Sequence, residues 1–424
     1  MSRPWWIPPF LGRLPPIADS QLRLLELVSL ALFFESYDLS MRTSALKYIA
    51  ADLGIAESQL GATLGIIRLG AIPAFFLVPL ADRLGRRRVF LACIAASSLA
   101  TFATAFVRTT AEFVAVQMFT STALVLGSVA AVVIVTEEFP AAYRGWALGM
   151  LGALSACGHG LGAAIFATID TLPYGWRTLY ALGIVPLLAW RRFRRGIEET
   201  ARFRTHAALR ESSGAFHDWM APLAGLARTH PGRATAMALV AALLGIGEVS
   251  AFQFTGYYAL TAHAWSPANY SAMVLGGGGI GIVGNIVAGR LGDRFGRRVV
   301  GASFLAAYPP FVALYYQGPG WALPIGFAGF VFCNTAGGVI VRAFSTELFP
   351  TSHRGTSAGW VTLVTTLGWA LGLTLVGAGT QNVDDLARRT AAMSALVLVA
   401  GLVLLTLPET HRRELEALSH EDAR

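Results

Sequence analysis

Residues 289–299 read GRLGDRFGRRV, and residues 78–88 read VPLADRLGRRR. Asp82 and Asp293 stand at the same place in the two copies, 211 residues apart. A second pair follows at almost the same offset. TEEFPAAYRG at 136–145 matches TELFPTSHRG at 346–355, with Arg144 and Arg354 separated by 210 residues. Two independent motif pairs at one offset point to a duplicated unit in a chain of 424 residues. Parallel repeats of this kind are a transporter signature, with the site at mid-membrane between the halves.

The segments around these motifs are apolar. The chain is 54% hydrophobic and 14% charged, with mean hydropathy +0.56. Soluble domains carry about 25% charged residues, so the composition is that of a membrane protein. Runs long enough to span a bilayer fall near 22–50, 58–80, 89–107, 112–136, 145–168 and 177–193. A polar stretch follows, then six more near 234–260, 267–290, 299–317, 321–345, 354–378 and 389–407. The expected organisation is a cytoplasmic segment (1–21), a six-helix bundle (22–193), a basic cytoplasmic linker (194–233), a second six-helix bundle (234–407) and a cytoplasmic tail (408–424). The fold class is therefore all-α: twelve transmembrane helices in two pseudo-symmetric bundles.

Loop arginines and lysines set the orientation. With the N-terminus inside, 25 of the 33 basic residues are cytoplasmic. Lys47, Arg108, Arg177, Arg388 and Arg389 fall outside, and Arg42, Arg68 and Arg342 fall within spans. The net charge of +8 thus belongs to membrane topology and not to nucleic acid. Both termini are expected in the cytoplasm, in a multi-pass inner-membrane protein that works as a monomer. The N-terminus lacks a signal peptide's apolar core, and Trp5 and Trp6 suit a membrane interface. Cys93, Cys157 and Cys333 each sit in an apolar stretch, which implies neither a disulfide framework nor a zinc site.

The motifs resemble those of the major facilitator superfamily over nearly the whole chain. Gly289, Asp293, Arg294, Gly296, Arg297 and Arg298 fit the family's loop pattern in full. The first copy keeps Asp82, Arg83, Gly85, Arg86 and Arg87, but Val78 stands where the family has Gly. Within the superfamily, SYDLS at 36–40 resembles the first-span motif of proton-coupled sugar porters and related metabolite–proton symporters. IEETARF (197–203) is loosely similar to their Pro-Glu-Ser-Pro-Arg motif, and LPETHRRELE (407–416) closely resembles their Pro-Glu-Thr motif. The sugar-binding pattern is degraded: Gly247, Glu248 and Gln253 precede Tyr257 and Tyr258, and Gln117 stands where many sugar porters have Arg. The resemblance implies a central cavity between the bundles, with the third, sixth, ninth and twelfth spans peripheral.

The placement of ionisable residues agrees. Spans 89–107, 299–317 and 389–407 carry none in their apolar cores. Glu35, Asp38 and Arg42 lie in the first span, Arg68 in the second, His159 in the fifth, Glu248 in the seventh and Arg342 in the tenth. Such residues are costly in lipid and face protein or water. At 100° per residue, Glu35, Asp38 and Arg42 fall within a ~60° arc, which should point into the cavity. Asp38 and Glu248 correspond across the repeat.

Two readings of Asp38 stand side by side. In one, Asp38 and Arg42, four apart, form a structural ion pair. In the other, Asp38 carries the coupling proton: desolvation favours the protonated carboxyl, and an adjacent arginine opposes it. An arginine that leaves Asp38 to hold an anionic substrate would release the carboxylate to take up a proton. Arg42 or Arg68 must then serve, and Glu35 and Glu248 complete the proton-coupling candidates. Substrate contacts are expected from Arg68, Gln117, His159, Gln253, Tyr257, Asn285, Asn334 and Trp369. His159 is equally readable as a packing histidine, and Tyr257 and Trp369 as packing aromatics. The superfamily resemblance implies a cytoplasmic latch of Asp82, Arg83, Arg86, Glu137, Glu138 and Arg144, with Asp293, Arg294, Arg297, Glu347 and Arg354 as counterparts; Arg342 lies near it.

The sequence therefore reads as a proton-coupled transporter of a small polar metabolite, with an organic acid as the expected cargo. A drug or metabolite antiporter of the same fold is the rival, as is a sugar–proton symporter. The fifth span, CGHGLGAAI (157–165), has the glycines of the antiporter signature without its proline, and such glycines also serve close helix packing. No phosphate loop, nucleophile elbow or His-Glu-x-x-His motif is present, so neither an enzyme nor a cofactor is expected.

Overall fold

Both loop motifs turn on a glycine that no other residue replaces cheaply. In the computed structural model, Gly85 has φ 100° and Gly296 has φ 92°, the left-handed region that a Cβ disfavours. The structure describes residue 7 and residues 14–199, 231–348 and 354–409; the side chains at 79, 80, 82, 141, 142, 345–347 and 354–358 lie outside that description. Trp5, Trp6, most of the expected linker and nearly all of the tail therefore lie outside the described residues.

The described chain is helical. In order come α1 (Asp19–Ser44), α2 (Leu46–Leu53), α3 (Glu57–Leu69), α4 (Ile72–Leu84), α5 (Arg86–Thr104), α6 (Thr110–Glu138) and α7 (Ala141–Phe166). The short helices α8 (Trp176–Ala181), α9 (Val185–Leu188) and α10 (Trp190–Gly196) follow. Then come α11 (Pro231–Gln253), α12 (Thr255–Ala262), α13 (Pro267–Phe295), α14 (Arg297–Gln317), α15 (Leu323–Glu347), α16 (Arg354–Gly377) and α17 (Val383–Thr406).

Nine helical stretches among the described residues are long and apolar enough to cross a membrane. The expected first, third and sixth spans are not among them, and the sequence says why. The first carries Asp19, Arg23, Glu26, Glu35, Asp38 and Arg42. The third spends its first turn on Arg86, Arg87 and Arg88. The sixth is broken into α8, a 3₁₀ turn and α9, where Pro186 lacks the N–H to continue a helix.

Helix starts follow local chemistry. Thr109 caps α6 in a reciprocal capping box with Glu112, Ser266 accepts from the Asn269 N–H to start α13, and Asn382 accepts from Asp385 N at 2.9 Å to start α17. Helices α5 and α14 begin at the two glycines instead, and neither glycine offers a side-chain cap.

The chain groups into two compact units, each with its own contacts. One comprises Met1–Arg42 and Gly70–Ser213, the other Thr43–Leu69 and Gly214–Arg424. The sequence places 43–69 with the N-terminal spans; by contacts, α3 lies along α16 and α2 meets α12 in the second unit. The reason is glycine. A Cβ at Gly61 would come within 2.2 Å of the Leu373 carbonyl oxygen and 2.5 Å of Gly377 Cα. In the first unit, Leu25, Val28, Ile134, Val135, Met150 and Phe193 form a core between α1, α6, α7 and α10. Gly158 seats α7 against α1, since a Cβ there would meet the Phe33 carbonyl oxygen at 1.9 Å. Gly158 and Gly162 of the fifth span thus serve close packing.

Candidate functional site

Helix α11 stops at Gln253 and α12 starts at Thr255. The break frees backbone carbonyls inside the unit, and buried tyrosines of α14 take them. Tyr316 donates to Ala251 O at 2.7 Å and Tyr315 to Thr255 O at 3.0 Å. Irregular backbone at membrane depth survives only where protein satisfies it, and such breaks mark binding sites in transporters.

Polar side chains of the second unit converge on this break. Arg68, in the last turn of α3, donates from Nη2 to Gln253 Oε1 at 3.1 Å. Its guanidinium carbon lies 5.3 Å from the Trp369 ring centroid, a cation–π distance. Gln253 is 2% exposed, and its Nε2 has no hydrogen-bond partner among the described residues. One turn and a half back along α11, Glu248 accepts from Asn334 Nδ2 at 2.6 Å and from the Trp369 side chain. Arg342 acts on Glu248 electrostatically. Arg68, Glu248, Gln253, Asn334 and Trp369 thus form one connected cluster. It offers a guanidinium beside an aromatic face, an unused amide donor and a half-buried carboxylate.

Two other expected contacts of this unit lie elsewhere. Tyr257 donates to Glu57 Oε1 at 2.7 Å, at the start of α3. Asn285 is exposed on α13.

The first unit holds the other carboxylates. Asp38 is 2% exposed and accepts from Thr101 Oγ1 of α5 at 2.9 Å. Asp38 lies against α5 inside its own unit. No ion pair joins Asp38 to Arg42 within 4.0 Å among the described residues. Arg42 Nη1 donates to Ser121 Oγ of α6 at 3.3 Å and acts on Asp38 electrostatically. His159 hydrogen-bonds to the Ser36 backbone, holding α7 to α1. Gln117 is buried and donates to Thr104 Oγ1 at 3.1 Å.

Of the cytoplasmic motif residues, Arg86 pairs with Glu137 at 3.2 Å and Arg297 with Asp293 at 3.7 Å. Arg144 donates weakly to Phe139 O at 3.4 Å, and Glu138 receives Gln21 Nε2 at its backbone oxygen. Arg83 is exposed, and Arg294 lies over the Phe295 ring. The side chains of Asp82, Glu347 and Arg354 lie outside the described residues. Among the described residues, a Cβ built at Gly289 meets nothing within 4 Å.

Two capping glutamates were missed by sequence reasoning. Glu199 accepts from the Arg87 N–H at 3.2 Å, and Arg87 donates back to Ile197 O at 2.6 Å. Glu409 accepts from Arg297 N and Arg298 N at 3.0 Å each, and Arg298 donates to Leu407 O at 3.3 Å. Each glutamate is therefore the missing N-cap of α5 or α14, brought from the end of its own half. The signal was present: Glu199 and Glu409 are themselves 210 residues apart.

Comparisons with known proteins agree with this architecture. The sequence pattern of the Major Facilitator Superfamily matches residues 28–373 and 237–423. The chain is 25% identical over 400 residues to a gallate transporter of Pseudomonas putida, covering 86% of each chain. It is 25% identical over 372 residues to a cis,cis-muconate transport protein of Acinetobacter baylyi, covering 82% of this chain and 85% of that one. Among solved structures, a D-xylose–proton symporter superposes with TM-score 0.75 at 16% identity, over 92% of this chain and 98% of that one, a likeness of fold alone. With the repeated loop motifs, the helical units and the match over most of its length, the chain belongs to the Major Facilitator Superfamily of membrane transporters, which are not enzymes.

Proposed function

We propose that this protein carries a small organic acid across the membrane together with protons, by alternating access of two six-span halves. The cluster around Arg68 carries this reading. A guanidinium already hydrogen-bonded to Gln253 and lying near Trp369 suits a planar carboxylate, which takes charge-assisted bonds from arginine and stacks on an aromatic face. Gln253 Nε2 supplies a further donor. The related proteins named above transport gallate and muconate, both carboxylates, which supports the same cargo class here.

In this reading Asp38 is the obligatory proton site, with Glu35 beside it, and Glu248 is its counterpart in the second half. The twelve spans, cytoplasmic termini, inner-membrane location and monomeric state belong to the same proposal. So does a cytoplasmic latch in which Arg86–Glu137 and Asp293–Arg297 close one face.

The test is uptake into proteoliposomes from a panel of labelled carboxylates, sugars and cationic amines, with and without an imposed proton gradient. Accumulation of carboxylates that collapses with the gradient is the expected result. Uptake restricted to sugars or cations, or indifferent to the gradient, overturns it.

A further inference from the structure

Inside the first unit, a cavity of about 30 Å³ lies between α1, α5, α6 and the α8–α9 stretch. That volume suits one or two water-sized species. Its wall includes six oxygen-bearing side chains: Glu35, Tyr37, Asp38, Ser97, Ser98 and Thr101. Three of their hydroxyl protons are already committed elsewhere. Thr101 donates to Asp38 Oδ1 at 2.9 Å, Ser97 to Ile94 O at 3.3 Å, and Tyr37 to Leu179 O at 2.8 Å. The wall therefore offers lone pairs more than donors. Asp38 Oδ2, in a side chain 2% exposed, has no hydrogen-bond partner among the described residues.

The charge balance points the same way. The ionisable groups that face Asp38 are Glu35, Tyr37 and Arg42 on its own helix and Tyr180 on α8. From α5 come the Thr101 hydroxyl and, toward Glu35, the Cys93 thiol. Two carboxyl groups stand against one guanidinium here, so with both ionised the site carries one formal negative charge, which is costly unless matched. One positive charge matches it, and a divalent ion overshoots. Carboxylate and hydroxyl oxygens are the donor set of hard cations. No three His, Cys, Asp or Glu side chains come together as a metal site among the described residues. This is a mixed site, in which hydroxyls complete what two carboxylates begin.

We propose that this cavity is a sodium site, with Na⁺ held by Asp38 Oδ2 and Glu35 and completed by the Ser98 and Thr101 hydroxyl oxygens. The proposal rests on the reading of Asp38 as the coupling carboxyl, and it adds that proton and sodium exclude one another there. Oδ2 holds one or the other. Two carboxylates make a high-field site, which favours the smaller sodium over potassium.

The experiment is equilibrium binding of radiolabelled sodium to the purified full chain in nanodiscs, at alkaline and at acidic pH, with choline chloride holding ionic strength constant. Saturable binding at alkaline pH, displaced by acid and by unlabelled sodium but not by choline, is expected. Asp38→Asn should abolish it, and Ser98→Ala should weaken it by about tenfold or more. Where a variant folds poorly, a sodium-specific rise in the wild-type thermal midpoint, lost at acidic pH, is the second readout. Absence of saturable binding at alkaline pH, or binding unchanged in Asp38→Asn, overturns the site. Gradient-driven carboxylate uptake is read on the same purified protein reconstituted into proteoliposomes. If uptake fails while sodium binds, the transport reading falls and the site stands.

Discussion

Arg68 and Gln253 are hydrogen-bonded at 3.1 Å, joining the second expected span to the break in the seventh. The guanidinium also lies 5.3 Å from the Trp369 ring. Arg68→Gln removes the charge and keeps hydrogen-bonding capacity. Hydrogen bonds to charged groups contribute about 1.5–3 kcal/mol, or roughly 10- to 150-fold in binding. Calorimetry on the purified protein should therefore show carboxylate affinity reduced within that range. Arg68→Lys should rescue only part of it, because lysine lacks the planar fork. Unchanged affinity in Arg68→Gln would place the carboxylate site elsewhere.

The contact of Gly61 with α16 supports a second prediction. A Cβ at this position overlaps backbone atoms of Leu373 and Gly377, so a larger side chain must separate α3 from α16. Gly61→Leu should insert and be recovered from membranes, yet lose substrate counterflow, since the two helices no longer close on each other. Among the described residues a Cβ at Gly152 meets nothing within 4 Å, and Gly152→Ala is the matched control with normal counterflow. Normal counterflow in Gly61→Leu would show that this contact can open without cost.

Glu199 and Glu409 cap α5 and α14 from a distance. Replacing a capping carboxylate typically costs about 0.5–2 kcal/mol. Glu199→Ala and Glu409→Ala should therefore each lower the thermal midpoint. Equal midpoints across both variants and wild type would remove the capping assignment.

These carboxylates also show where the sequence was legible. The duplicated loop motifs gave the repeat, because Gly85 and Gly296 are demanded by backbone geometry that a sequence pattern records directly. The cluster of Arg68, Glu248, Gln253, Asn334 and Trp369 was foreseeable as a set of polar residues in apolar spans. Its partners were not. Arg68 bonds Gln253 and Thr101 bonds Asp38, while Arg42 bonds Ser121 and acts on Asp38 only electrostatically. Thr101 sits in a span read as peripheral, because a threonine hydroxyl in an apolar run carries no periodic signal. Helix rotation decides such pairings, and three or four residues of one type per turn do not fix it. Likewise Gly61 and Gly158 are common residues in common positions, and only the opposing backbone gives them meaning.

Asp38 yields the sharpest test of coupling. Asp38→Asn mimics a permanently protonated side chain, and the Thr101 hydroxyl that now donates to Oδ1 can donate to the amide oxygen instead. Arg42 keeps its bond to Ser121, so the variant should fold. A structural ion pair predicts otherwise: an arginine stripped of its partner in a buried place costs about 3–5 kcal/mol, and yield should collapse. With the carboxyl unable to release a proton, accumulation driven by a pH gradient should vanish. Exchange between equal concentrations on the two sides moves no net proton and should persist. Substrate binding in the variant should also become flat across the pH range in which the wild type varies. The three measurements on one variant are folded yield, gradient-driven uptake and counterflow. A well-folded Asp38→Asn protein that still concentrates substrate would move the proton site to Glu248, whose carboxylate is bound to Asn334 at the matching position of the second half.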